Sequence, residues 1–178
     1  DKIKAGQLIG IKTANKTDGQ FLFWYDKKKT KIKSHKIFKD SKRDGKWMFW
    51  FENGNIARTN SYKRGKKDGL YTFYFNDGSM KEEGNWKNDL RDGLWVKYTK
   101  NGNKYKEGTY INGKKDGLHE WFGENGQLLS RTNYKNGELD GLWEEFHSDG
   151  ELIRRSNYKN DKLDGLREWF DENGNHLN

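Results

Sequence analysis

A chain of 178 residues with 31% apolar and 35% charged residues has less core-forming material than an ordinary domain, where about 45–50% is apolar. Its 15% aromatic content, with eight Trp, excludes the disordered class, which is poor in rings. The lack of Cys excludes disulfides and thiolate metal sites, and no apolar run approaches the roughly 18 residues of a membrane helix. The net charge of +8 is unevenly spread: residues 1–67 hold 19 Lys+Arg and 6 Asp+Glu, and residues 68–178 hold 16 and 21. A basic end of this kind attracts anionic partners, and the acidic remainder repels them.

Segment 1–43 comes first and reads as a degenerate basic capping repeat. "QFLFWYD" alternates rings as a strand does, and "DKKKTKIKSHK" then places Lys27, Lys28, Lys29, Lys31, Lys33 and Lys36 where a turn is due. Because the chain begins at Asp1 without Met, a trimmed signal peptide is an expectation that would make the protein exported or envelope-associated.

From there the chain repeats. Asp-Gly glycines fall at 19, 45, 69, 93, 117, 141 and 165, a step of 26 followed by steps of 24. A fixed period in this range marks a repeat architecture. The units of 44–178 start near 45, 69, 93, 117, 141 and 165. Each opens with a ring-rich run such as "KWMFWFENG" that ends at Asn-Gly or Asp-Gly (Asn53-Gly54, Asp77-Gly78, Asn101-Gly102, Asn125-Gly126, Asp149-Gly150, Asn173-Gly174). These dipeptides tolerate the positive φ of a type I′ turn, so each unit reads as a two-stranded β-hairpin. A two-residue turn would oppose Glu120 to Arg131, Glu144 to Arg155, Glu145 to Arg154, Phe122 to Leu129 and Phe146 to Ile153. It would also lay Trp95 over Gly108 and Tyr71 over Gly84. Opposite charges meeting across the pair favour this register. The second connection, "YKNGELDG" and its variants, holds two turn signals in five residues and leaves its register open.

One hairpin buries too little to offset the ordering of 24 residues, so the units must stack on one another. The expected fold is all-β: about seven hairpin units in an elongated, curved or coiled antiparallel sheet, roughly 65 Å long at the usual strand spacing.

The phrases "YKNGELDGLWEEFHSDGELIRRSNYKN" and "KEGTYINGKKDGLHEWFGENGQL" resemble the bacterial variant of the MORN repeat, as found in antitoxin-like proteins of the YwqK type. The resemblance is good over 44–178 and weak over 1–43. It implies an all-β protein-binding scaffold, with toxin neutralisation proposed for the bacterial branch and a cytoplasmic location in that case. It carries no catalytic residues.

The chemistry-bearing residues point the same way. His35, His119, His147 and His176 fall at different repeat offsets and give no convergent metal set. Asp and Asn before Gly answer to turn geometry before calcium. Glu120, Glu144, Glu145 and Glu168 recur by offset with arginine partners, which is unlike a unique active site. No cofactor motif is present, and the protein reads as no enzyme. Trp47, Phe49, Trp50 and Phe51, with Trp24 and Tyr25, are the expected anchors for a partner protein. The acids of 116–172 would meet a basic surface on a toxin. Binding of nucleic acid by the lysines is disfavoured by the acidic repeats that follow. The alternative from another class is a cell-envelope, glycan or anionic-lipid module using the same lysines.

Overall fold

The computed structural model describes residues 6–8, 12–13 and 16–177, with side chains from residue 18 onward. Among these residues every regular element is a strand. The chain divides into two compact units, Asp1–Leu90 and Arg91–Asn178.

In the first unit the strands are β1 (Gly6–Leu8), β2 (Lys12–Thr13), β3 (Lys16–Thr17), β4 (Gly19–Trp24), β5 (Ile32–Lys39), β6 (Lys42–Arg43), β7 (Gly45–Trp50), β8 (Ile56–Lys63), β9 (Lys66–Tyr74) and β10 (Met80–Lys87). They lie antiparallel in the order β1-β4-β5-β7-β8-β9-β10; β6 also pairs β5, and β2 pairs β3 separately. The second unit opens within β11 (Leu90–Tyr98), from Arg91. It continues through β12 (Lys104–Ile111), β13 (Lys114–Phe122), β14 (Leu128–Lys135), β15 (Glu138–Phe146), β16 (Leu152–Lys159), β17 (Lys162–Phe170) and β18 (His176–Leu177), each antiparallel to the next. The all-β hairpin repeat expected from the 24-residue period is therefore the observed fold.

The turns differ from expectation in an instructive way. At Asn53-Gly54 the loop has three residues, not two. Phe51 N–H donates to Asn55 O at 2.8 Å, Gly54 N–H donates to Phe51 O at 3.0 Å, and Gly54 alone takes positive φ, at 94°. This is a type I turn closed by a glycine bulge, and the same bonds recur at Gly78, Gly102, Gly126, Gly150 and Gly174. A three-residue loop moves the register by one. A further bulge moves it back: Phe122 pairs Leu128 rather than Leu129, Phe146 pairs Leu152 rather than Ile153, and the skipped residue restores the pairing. Glu120 then opposes Arg131, Glu144 opposes Arg155, Glu145 opposes Arg154, Trp95 opposes Gly108 and Tyr71 opposes Gly84, as the sequence predicts.

The type I′ turns sit at the second connection. Arg64-Gly65, Asn88-Asp89, Asn112-Gly113, Asn136-Gly137 and Asn160-Asp161 have positive φ at both residues, and Lys63 pairs Lys66 across the first of them. The following Asp-Gly does not turn the chain. It lies inside a nine-residue strand, where Asp116, Gly117 and Leu118 bulge opposite the single residue Thr109. The aspartate binds the next repeat: Asp116 accepts from Asn136 N–H at 3.0 Å and Asp44 from Arg64 N–H at 3.3 Å. Turn N–H groups also donate back to the preceding repeat, Gly65 to Arg43 O and Gly137 to Lys115 O, both at 2.8 Å. Two sequence signals thus do two jobs, one folding the hairpin and one joining it to its neighbour.

The extra two residues of the first step lie in one loop. Tyr25 N–H bonds Lys31 O, so five residues, 26–30, replace the usual three, and the Asp26 carboxylate caps the backbone of Thr30 and Lys31. Residues 19–43 otherwise repeat the same hairpin construction. Of the expected capping segment 1–43, residues 1–5, 9–11 and 14–15 lie outside the described residues, as does Asn178.

Candidate functional site

Strand alternation sorts the side chains onto two faces. One carries a row of rings. In the first unit Phe21, Phe38, Trp47 and Tyr62 run in sequence at centroid spacings of 5.4, 5.0 and 5.0 Å. In the second unit Tyr110, His119 and Tyr134 follow at 5.2 and 5.0 Å, and Trp143 meets Tyr158 at 5.6 Å. His119 occupies the tryptophan position of its repeat and copies tryptophan chemistry: its Nε2 lies 2.8 Å from Thr109 O, as Trp47 Nε1–H lies 2.7 Å from Ile37 O. A carbonyl can only accept, so Nε2 carries the proton. The ring is fully buried, and burial holds its pKa below the usual histidine value, with Lys115 and Lys106 adding to the effect.

Cations lie over these rings. Arg43 covers Tyr62 at 4.6 Å, Lys67 covers Trp86 at 4.2 Å, Arg91 covers Trp95 at 4.2 Å and Lys115 covers Tyr134 at 4.1 Å. These four come from one repeat position, 24 residues apart. A second position supplies Arg58 over Phe49 at 4.2 Å, Lys106 over Trp121 at 4.9 Å and Arg154 over Trp143 at 4.5 Å. By register the ring face of 91–178 holds Arg91, Lys97, Lys106, Lys115, Arg154 and Arg167 against Glu145. The unit as a whole is acidic, yet this face is basic. Lys106 feels it: burial first, then Lys115, Lys97 and Arg91, push its pKa down.

The opposite face of the second unit is a row of carboxylates and guanidiniums in lateral register: Glu107, Glu120, Arg131, Glu144, Arg155, Glu168. Arg131 donates to buried Glu144, and Arg155 donates to Glu168 at 2.8 and 3.1 Å. Leu94 and Leu118, from the column after Asp-Gly, are exposed on this face.

The predicted anchors are distributed across these environments. Trp47 is only 8% exposed and belongs to the ring row, so it offers no free surface. Phe49 shares its face beneath Lys36 and Arg58. Trp50 points to the other face opposite Ile56, and Phe51 lies in the turn. Trp24 is half-buried with no partner for its indole nitrogen; Tyr25 is exposed and donates its hydroxyl to Trp50 O at 2.7 Å. The structure therefore does not gather these six residues into one patch. The six lysines are divided as well. Lys27, Lys28 and Lys29 are exposed in the five-residue loop, Lys31 lies 3.5 Å from Glu52, and Lys33 lies over Tyr25. Lys36 lies over Phe23, Trp47 and Phe49, and burial, Arg58 and Lys33 lower its pKa.

A shallow cleft of about 240 Å³ opens on the ring face between Trp121 and Trp143, floored by Ser130 and Thr132 and closed by Tyr134 and Leu139. Sequence reasoning missed it, because the eye follows what repeats and this cleft lies where the repeat fails. No cluster of three or more His, Cys, Asp or Glu suited to a metal ion occurs among the described residues.

The pattern of the MORN repeat variant matches residues 43–64, 67–88, 91–112, 115–136, 139–160 and 163–177. The chain belongs to the MORN repeat variant family. Six MORN repeats thus cover most of the chain, each match spanning the Asn-Gly or Asp-Gly loop and most of the strands that flank it, with the gaps between matches falling at the second connection. MORN repeats form repeat scaffolds, often binding membranes or proteins, and are generally non-enzymatic. No curated protein matches the chain.

Proposed function

We propose that this MORN repeat protein is a non-enzymatic scaffold that binds a partner protein on its ring face, and that the complementary surface of the partner is acidic. The observation that carries this reading is the excess of cations over the rings, present in each unit, outnumbering the acids Glu82 and Glu145 on this face and opposed to the net charge of the second unit. Rings under cations offer apolar area and positive potential together, a pairing that suits an acidic, partly apolar surface. The antitoxin version of the reading has a basic toxin meeting the acids of 116–172. Glu144 and Glu168 in that segment are already held by Arg131 and Arg155. A basic partner would have to displace those arginines, so the ring face is the better-supported contact.

The test is retention of native lysate proteins on immobilised full-length chain at two salt concentrations, compared with a Lys106→Glu, Lys115→Glu variant of unchanged circular dichroism. Retention of an acidic protein by the wild type alone, weakened by salt, supports the reading. Equal retention by both places the contact elsewhere. Phosphatidylserine vesicles form a second arm: if they bind and no protein does, the anionic-lipid alternative replaces this one.

A further inference from the structure

The cleft between Trp121 and Trp143 lies where two columns of the repeat lose their long charged side chains together. One column holds Arg58, Glu82, Lys106, Ser130 and Arg154. The other holds Arg43, Lys67, Arg91 and Lys115, then Leu139 and Leu163, so the small Ser130 and an uncharged Leu139 meet at this cleft. The cations in these columns lie across the rings, above the strands. Where Ser130 and Leu139 replace them the floor drops. In the first hairpin the matching Ser34 is also small, but there Lys36 lies across Phe23, Trp47 and Phe49 and occupies the gap.

The two indoles stand on β13 and β15, with β14 between them, and are offset by two residues along the strands: Trp121 is in register with Ser130 and Trp143 with Thr132. The 240 Å³ between them leaves room for one inserted side chain. The rim is predominantly cationic: Lys106 lies 4.9 Å from the centroid of Trp121, Lys115 5.8 Å, and Arg154 4.5 Å from that of Trp143, against Glu145 opposite Ser130. A cation entering the cleft would join three others, with Glu145 alone nearby and already paired to Arg154 at 2.7 Å. An apolar side chain flanked by carboxylates meets no such repulsion. The Ser130 hydroxyl accepts from Trp143 Nε1–H at 3.3 Å, so the floor does not present an unsatisfied indole to an apolar guest.

We propose that this cleft is the anchor pocket of the ring face and takes one branched aliphatic side chain, such as Leu, from an acidic segment of the partner. The proposal rests on the scaffold reading and deepens it. The cations on the rest of the face supply electrostatic attraction; the cleft supplies the position at which the partner is held.

The sequence provides its own filled control. Ser130→Arg and Leu139→Lys install the residues the repeat uses elsewhere, so both variants keep the fold while closing the cleft. The probes are capped peptides of four glutamates around one central residue, Leu or Ala, titrated into the full chain at low salt. Indole N–H signals of Trp121 and Trp143 are followed by nuclear magnetic resonance. The expected result is at least about tenfold tighter binding of the Leu peptide than the Ala peptide, the range that a few buried methyl groups provide. Shifts should centre on Trp121 and Trp143, and the preference should vanish in Ser130→Arg. Equal binding of the two peptides, still lost at high salt, would overturn the pocket and leave the acidic-partner reading intact. Binding of neither peptide would sink both. Tighter binding of a lysine-flanked Leu peptide, or of a neutral oligosaccharide at the same indoles, would also overturn the assignment.

Discussion

The two faces of the sheet in residues 91–178 are held by opposite physics. On the ring face, contact comes from stacked aromatic area with cations laid over it, and the closest approach is His119 against the bare backbone of Gly108. On the charge face, contact comes from glutamates and arginines alternating across neighbouring strands. The ring face is limited by space, the charge face by pairing. Substitutions should therefore fail for different reasons on the two sides of one strand pair.

The largest effect belongs to the ring face. A Cβ at Gly108 would fall 2.1 Å from His119 Nδ1 and 2.3 Å from its Cε1, where something must shift. The imidazole has nowhere to go, being fully buried between Tyr110 and Tyr134. Gly108→Ala should cost about 3 kcal/mol, the upper end of ordinary overpacking. Urea unfolding would measure it. The double variant Gly108→Ala, His119→Ala should recover part of the loss, whereas strictly additive costs would show that the clash is not the cause.

Next comes Glu144→Ala on the charge face. Glu144 is 5% exposed and its partner Arg131 is 43% exposed, so the abandoned guanidinium can still hydrate. A loss of about 1–2 kcal/mol is expected, below that of Gly108→Ala. A loss as large as that of Gly108→Ala would erase the distinction between the faces.

Much of this arrangement is written in the sequence. The 24-residue period gives the hairpins, and Glu120 with Arg131 and Glu144 with Arg155 are legible as pairs because a three-residue loop and a later bulge cancel in register. The local turn chemistry is not. Asn125-Gly126 and Asn136-Gly137 look alike as dipeptides, yet only the second is a type I′ turn, since the choice depends on how many residues the flanking strands leave unpaired. Asp140-Gly141 looks like a third turn and is a bulge, because its aspartate and backbone serve adjacent repeats. The burial of Trp47 was hidden for a related reason. Trp47 is as aromatic as Trp121, and only its neighbours make it core rather than surface. Ser130 with Leu139 was readable in principle, as the place where two columns of long, mostly charged residues lose them together.

The ring face should also respond to pH through His119. His119 has a folded pKa below its unfolded value, so the unfolded chain binds the extra proton first. Stability is fully present above the unfolded pKa, near 6.5, and is lost as pH falls from there toward the depressed folded value. The slope is at most about 1.4 kcal/mol per pH unit. Denaturant midpoints taken between pH 7.5 and pH 5 should decline, and His119→Phe, which keeps the ring and removes the titration, should flatten the decline. An unchanged slope would remove His119 as the cause.

The smallest effect has the opposite sign and comes from the one place where the charge row loses its alternation. Glu107 opposes Glu120, and Lys104 Nζ, 2.8 Å from Glu107, neutralises only one side of the pair. Arg131 faces Glu120 but donates to Glu144 instead. Burial, then Glu107, raises the Glu120 pKa, so ionised Glu120 works against the fold. The sign follows: this penalty is absent below the unfolded carboxylate pKa and grows as pH rises through the folded one. Glu120→Gln removes the like charge while keeping a group that can bond Glu107. It should stabilise the protein at pH 7 by about 0.5 kcal/mol, the scale of a like-charge cross-strand pair, and the gain should fade toward pH 4. Glu144→Gln, two steps along the same row, should destabilise at pH 7. If both glutamines moved stability in the same direction, pairing would not be what governs this face.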